Sequence, residues 1–187
     1  MTEKLMLEPT ATAQWKQLLQ HAEQQCHYQL NEDVESYLIF TLIRFTQNPF
    51  IASKALAPDF LNTTNLTGQA RQQQLRDVGD QCLLLSGLFP QQAERRLVKV
   101  SYYVDLGRTA YIHLSELLKQ AFADLYQQLS NHFVQMMDIL QNIRSEPALL
   151  PLQALEQWQD TGSQNGRRIL SGYSSATPII INNPIRH

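Results

Sequence analysis

Side chains able to carry chemistry crowd into one stretch of this sequence, between Arg71 and His113. It holds Arg76, Asp77, Asp80, Glu94, Arg95, Arg96, Tyr102, Tyr103, Asp105, Arg108, Tyr111 and His113, whereas polar residues elsewhere are mostly amides. Arginine presents a planar fork of donors that suits carboxylate and phosphate oxygens, and it stacks on phenol rings. Arg95, Arg96 and Arg108, with Tyr102, Tyr103, Tyr111 and Asp105, therefore describe a pocket for an anionic ligand. The competing arrangement is an ionic lock between helices. Arg76 stands four residues before Asp80 and Asp105 three before Arg108, and with Asp77 and Glu94 these carboxylates suffice to pair the arginines.

A second constellation is Asp77 with Asp80 and His113 with Glu116. Each pair is three residues apart, on one face of a helix, so the four side chains could converge on a metal ion. No Glu precedes a His by three residues, as a carboxylate-bridged dimetal bundle would require. Phosphate-loop, dinucleotide-binding and zinc-protease motifs are missing from the sequence. The nearest approach to a nucleophile elbow, Gly172-Tyr173-Ser174-Ser175-Ala176, lacks the closing glycine. No catalytic set assembles, no cofactor is implied, and the sequence leans away from an enzyme. His132 reads as a core or interface histidine, and Met136 and Met137 beside Phe133 as adaptable core filling.

Composition narrows the classes further. The 187 residues suit one domain, 43% of them are hydrophobic and 17% charged, and the net charge is −2. That balance argues against a disordered chain and against a nucleic-acid binder, which would carry a basic excess. A helix-turn-helix hinged at Gly79 would make Asp80 to Phe89 its reading helix, a segment without Lys or Arg. The longest apolar run, Tyr37 to Phe45, is broken by Thr41 and Arg44 and reaches less than half of the roughly 20 residues that cross a bilayer. Cys26 and Cys82 stand far apart in no metal-ligand spacing, and Met1 to Thr10 has no apolar run. The expectation is a cytoplasmic protein with reduced thiols, bound to neither membrane nor nucleic acid.

The elements that must position these residues read as helices. Trp15, Leu18, Leu19, Ala22 and Cys26 form one apolar stripe over Thr10 to Tyr28. Asn31 is an N-cap with Glu32 and Asp33 behind it, opening a helix that stops at Asn48-Pro49. Phe50 to Leu61 suggests a short helix and Asn62 to Gly68 a loop. From Gln69, the stripe Leu75, Val78, Cys82, Leu85, Phe89 predicts a helix ending near Pro90, with Gly79 and Ser86 on its flank permitting close approach of another helix. Val98 to Val104 alternates like a strand but has no partner, so it reads as the start of the next helix.

From Leu106 to Ile143 two apolar stripes run side by side, one through Ala110, Leu114 and Met136, the other through Leu118, Phe122, Tyr126, Phe133 and Leu140. They predict one long helix at the centre of a bundle or in a dimer. Pro147 and Pro151 close it, and Leu152 to Trp158 forms a short amphipathic piece.

The fold class is thus all-α: an irregular bundle of five to seven helices over residues 1–160, with a Gly/Pro-containing, extended C-terminal arm at 161–187 that lacks a helical period. Surplus apolar faces and an arm in need of a groove favour a non-enzymatic protein acting by association. A homodimer, with a possible protein partner, is the first expectation, and the anionic-ligand pocket in segment 76–113 is the second.

Overall fold

The computed structural model describes residues 10–48, 60, 63–91, 98–143 and 149–173. Among them are eight α-helices and no strand: α1 Ala11–Cys26, α2 Glu32–Gln47, α3 Gly68–Leu88, α4 Val100–Leu117, α5 Ala121–Asn131, α6 Phe133–Ile143, α7 Pro151–Thr161 and α8 Gln164–Tyr173. The all-α bundle expected from the sequence is what the chain forms. Thr10 caps α1, its Oγ1 accepting from the Ala13 amide at 3.3 Å, and Asn31 caps α2, its Oδ1 accepting from the Val34 amide at 2.9 Å. These oxygens satisfy amides that the first turn of a helix leaves without partners.

The centre of the bundle is α3. From Val78 to Leu88 every residue is buried, on all sides of the helix. It packs most extensively on α4 and, across from it, on α6, which in turn rests on α1. Glycine makes the α3–α4 approach possible. A Cβ on Gly79 would lie 2.4 Å from the Tyr111 ring, and one on Gly107 would lie 2.5 Å from Phe133 and 2.8 Å from Cys82. The closeness expected at the flank of α3 is real, and its partner is α4.

The expected long helix is instead three. α4 ends at Leu117, and Gln120 then takes a left-handed φ of 47° before α5 begins. His132 ends α5, its Nδ1 set 2.9 Å from the Gln128 carbonyl oxygen, and α6 follows at Phe133. Breaking the rod lets it fold back on α3, so both apolar stripes reach one core: Leu114, Leu129, Phe133, Met136, Met137 and Leu140 are all buried. Much of the apolar surface of these stripes is thereby covered within the chain, while Ile112, Leu117 and Phe122 remain exposed.

Two further differences concern the C-terminal quarter. Pro151 opens α7 at its first position, where the missing amide hydrogen costs nothing, rather than closing the preceding helix. The stretch expected to lack a helical period contains α8. Gly162, at φ 75°, ends α7 in the left-handed conformation, and α8 packs back along α7 with Gly166 facing the Ala154 carbonyl. Glycine that resembled linker composition is there for a tight corner and a close contact. The remainder of the arm, 174–187, lies outside the described residues, as do most of the expected short helix at 50–61 and the connection at 92–97.

Candidate functional site

Polar residues inside the bundle gather in three places, and each is built from different elements. The first surrounds Asp80, fully buried at the middle of α3. Tyr37 of α2 and Tyr111 of α4 each donate a phenolic hydrogen to its Oδ1 at 2.7 Å, and Arg44 of α2 donates to Oδ2. Arg44 also lies 3.7 Å from Asp77. Burial pushes the Asp80 carboxyl above its usual range, opposed by Arg44 and the two phenols. Against burial, which alone would lower it, the Asp80 and Asp77 carboxylates hold Arg44 above its usual value. Burial, then the neighbouring carboxylate, raises both tyrosines well above theirs. The carboxylate is satisfied by three donors and sealed from solvent, so this cluster ties α2, α3 and α4 together and leaves no face for a substrate.

The second is a groove of about 560 Å³ where the first turns of α3 meet the end of α4 and the start of α5. Leu114, Leu118, Phe122 and Tyr126 form its apolar wall. Gln69, Gln72, Gln73 and Arg76 face them from α3. Arg76 donates to Gln73 Oε1 at 2.7 Å, and the Gln73 amide nitrogen lies 3.0 and 3.1 Å from the two Asp77 oxygens. Among the described residues Arg76 forms no ion pair, and its Nε, withdrawn from solvent, has no hydrogen-bond partner. Tyr126 joins the groove to the first cluster, its ring 5.6 Å from Tyr37 and 5.8 Å from Tyr111, centroid to centroid.

The third is a buried polar network around Asp138 of α6. Its carboxylate accepts from Ser163 Oγ, from the Gln164 and Asn165 amides at 2.9 and 3.2 Å, and from Tyr28 at 3.4 Å. It therefore caps the first turn of α8 from another helix. Burial raises its pKa to about 6 despite those four donors. Gln141 and Gln157 exchange amide hydrogen bonds beside it, and Asn165 donates to Gln141 at 2.8 Å.

The residues proposed from sequence are thus distributed, not gathered. Arg95 and Arg96 lie outside the described residues, as does Glu94. Tyr111 is fully buried against Asp80, and Tyr103 is buried with its ring 5.7 Å from that of the half-exposed Tyr102. Asp105 and Arg108 are exposed and form no ion pair among the described residues. Of the four metal candidates, Asp77 and Asp80 are engaged by Arg44. His113 stacks on Phe60 at 6.0 Å, and Glu116 is exposed. No group of three or more His, Cys, Asp or Glu able to hold a metal occurs among the described residues.

The partner expected for Asp80 was Arg76, one turn away on the same helix. Arg44 takes that place from α2, donating to Oδ2 while both phenols donate to Oδ1. Arg44 and Tyr37 escaped notice because they sit inside an apolar run and read as an interruption and as core. The groove was partly visible: Gln69, Gln72, Gln73 and Arg76 recur at three-and-four spacing, a polar face ending in a cation. No helix among the described residues is long and apolar enough to cross a membrane. No family model matches the chain, and neither a curated protein nor a solved structure matches it.

Proposed function

We propose that the chain binds a small anionic ligand in the groove between α3, α4 and α5, with Arg76 supplying the charge. One observation carries this reading. Arg44 and Lys99 form ion pairs with carboxylates, whereas Arg76 lines a concavity, hydrogen-bonds a neutral amide and forms no ion pair among the described residues, Asp80 attracting it only from longer range. A desolvated donor without a partner costs about 1–3 kcal/mol, and an incoming oxygen removes that cost. The groove also has the size, and the mostly apolar lining with a few polar groups, that small-molecule sites have. The anionic-ligand expectation for segment 76–113 is kept, with its centre moved from Arg95, Arg96 and Arg108 to Arg76.

Calorimetric titration with aromatic anions is the test. Naphthoate or naphthalenesulfonate is expected to bind the wild-type chain, and Arg76→Gln to weaken binding about tenfold or more, the loss of one charge-assisted hydrogen bond. If neither anion binds, or if Arg76→Gln binds as well as wild type, the reading is wrong.

Self-association remains a second reading, favoured by Phe40 of α2, a large apolar side chain that is 66% exposed. Light scattering decides it. A dimer that Phe40→Asp dissociates supports the reading, and a wild-type monomer removes it.

A further inference from the structure

We infer that the ligand of the α3–α4–α5 groove is a monocarboxylic acid with an apolar, ring-sized body, an inference that rests on the binding reading above. Three features select this class. The first is charge. Arg76 is the single cation among the described residues lining the groove, the other polar groups being the amides of Gln69, Gln72 and Gln73 and the phenol of Tyr126. Asp77 lies directly behind Gln73, with both oxygens turned toward its amide nitrogen. A phosphate monoester carries about −1.5 to −2 at neutral pH, so one guanidinium would leave charge uncompensated beside that carboxylate. A monoanion is neutralised in full.

The second feature is shape of recognition. A carboxylate offers two coplanar oxygens, which match two parallel donors of a guanidinium edge-on. Gln73 holds that guanidinium by one nitrogen at 2.7 Å and is itself held by Asp77. The chain Asp77–Gln73–Arg76 orients the cation through a neutral link, so the arginine is fixed in direction yet keeps its charge. Gln73 is in this sense a positioning residue. The third feature is the opposite wall. Leu114, Leu118, Phe122 and Tyr126 present apolar and aromatic surface across about 560 Å³, and Phe122 is 68% exposed there. Covering that surface rewards a hydrocarbon body and offers nothing to a small hydrophilic anion such as acetate.

Four probes that share one ring system separate these claims: naphthoate, naphthalenesulfonate, naphthyl phosphate and the neutral naphthamide, each titrated into the intact chain by calorimetry. The expected order places naphthoate first, about tenfold or more ahead of naphthyl phosphate and naphthamide, the scale of one charge-assisted hydrogen bond. Gln73→Glu keeps Arg76 but sets a carboxylate against it, and is expected to abolish naphthoate binding while circular dichroism and melting temperature stay near wild type. Gln73→Ala, which loosens the arginine without neutralising it, is expected to weaken binding by less. Naphthyl phosphate or naphthalenesulfonate binding as tightly as naphthoate, still dependent on Arg76, overturns the carboxylate class and leaves the anion reading standing. Naphthamide matching naphthoate, or no probe binding, overturns both. Undiminished naphthoate binding by Gln73→Glu overturns the positioning argument.

Discussion

Asp80 and Arg76 are one turn apart on α3, opposite in charge, and stand in opposite circumstances. Asp80 is enclosed and satisfied by Arg44, Tyr37 and Tyr111, while Arg76 faces a groove, attracts Asp80 only from longer range and has an Nε without a hydrogen-bond partner. Removing one member of a buried, hydrogen-bonded charge pair strands the others, so Asp80→Ala is expected to lower stability in urea denaturation by about 3 kcal/mol or more. Tyr37→Phe removes one hydrogen bond to the carboxylate and is expected to cost about 2 kcal/mol. Should both variants unfold at the wild-type midpoint, the cluster does not hold the helices together. Sequence alone picked out Asp80, Tyr111 and Arg76 as chemically unusual, but it could not say which arginine meets which aspartate. That pairing depends on how α2 lies against α3, and spacing along one helix carries no information about it.

At the scale of elements, the sequence revealed most helical stretches, missed α8 and the breaks on either side of α5, and hid how the helices meet. Thr10 read only as the start of a helical stretch, whereas the cap at Asn31 is local chemistry and was legible as such. The corner at Lys119-Gln120 was not, because a left-handed Gln120 has no sequence signature comparable to glycine's, and the apolar stripes run straight through it. The fit of α3 to α4 makes a further prediction. Gly79→Ala would gain roughly 1 kcal/mol of helix propensity, but its Cβ would meet the Tyr111 ring at 2.4 Å, with the ring itself fully buried. Overpacking wins, and a net loss of about 1–3 kcal/mol is expected in thermal or urea denaturation.

The cap that Asp138 supplies to α8 adds a dependence on pH. Its folded-state pKa of about 6 lies above the ordinary carboxyl value of 3.8. The folded chain therefore holds this proton more tightly than the unfolded one. The stability it contributes is complete below the ordinary value and is lost as pH rises through about 6. Urea midpoints are expected to fall between pH 5 and pH 7.5, and Asp138→Asn, which cannot titrate, should flatten that slope. A wild-type midpoint that rises over the same interval contradicts the assignment. Asp138→Ala removes the acceptor for the Gln164 and Asn165 amides altogether. Hydrogen exchange of α8 is then expected to accelerate before that of α3, because the helix end loses its cap while the central core is untouched.

Considered whole, the molecule is organised around a helix whose C-terminal half has no outside. Eleven successive residues of α3, Val78 to Leu88, are covered only when α4 lies along one side and α6 along the other, with Phe133 and Leu140 closing the gaps at Gly107 and Gly87. In order of synthesis both coverings come after the helix they cover. A ribosome that has released α3 has produced a greasy rod whose second cover, α6, is still dozens of codons away. The burial of this helix is therefore complete only once Leu140 has been made, which ties the middle of the chain to a segment some fifty codons downstream.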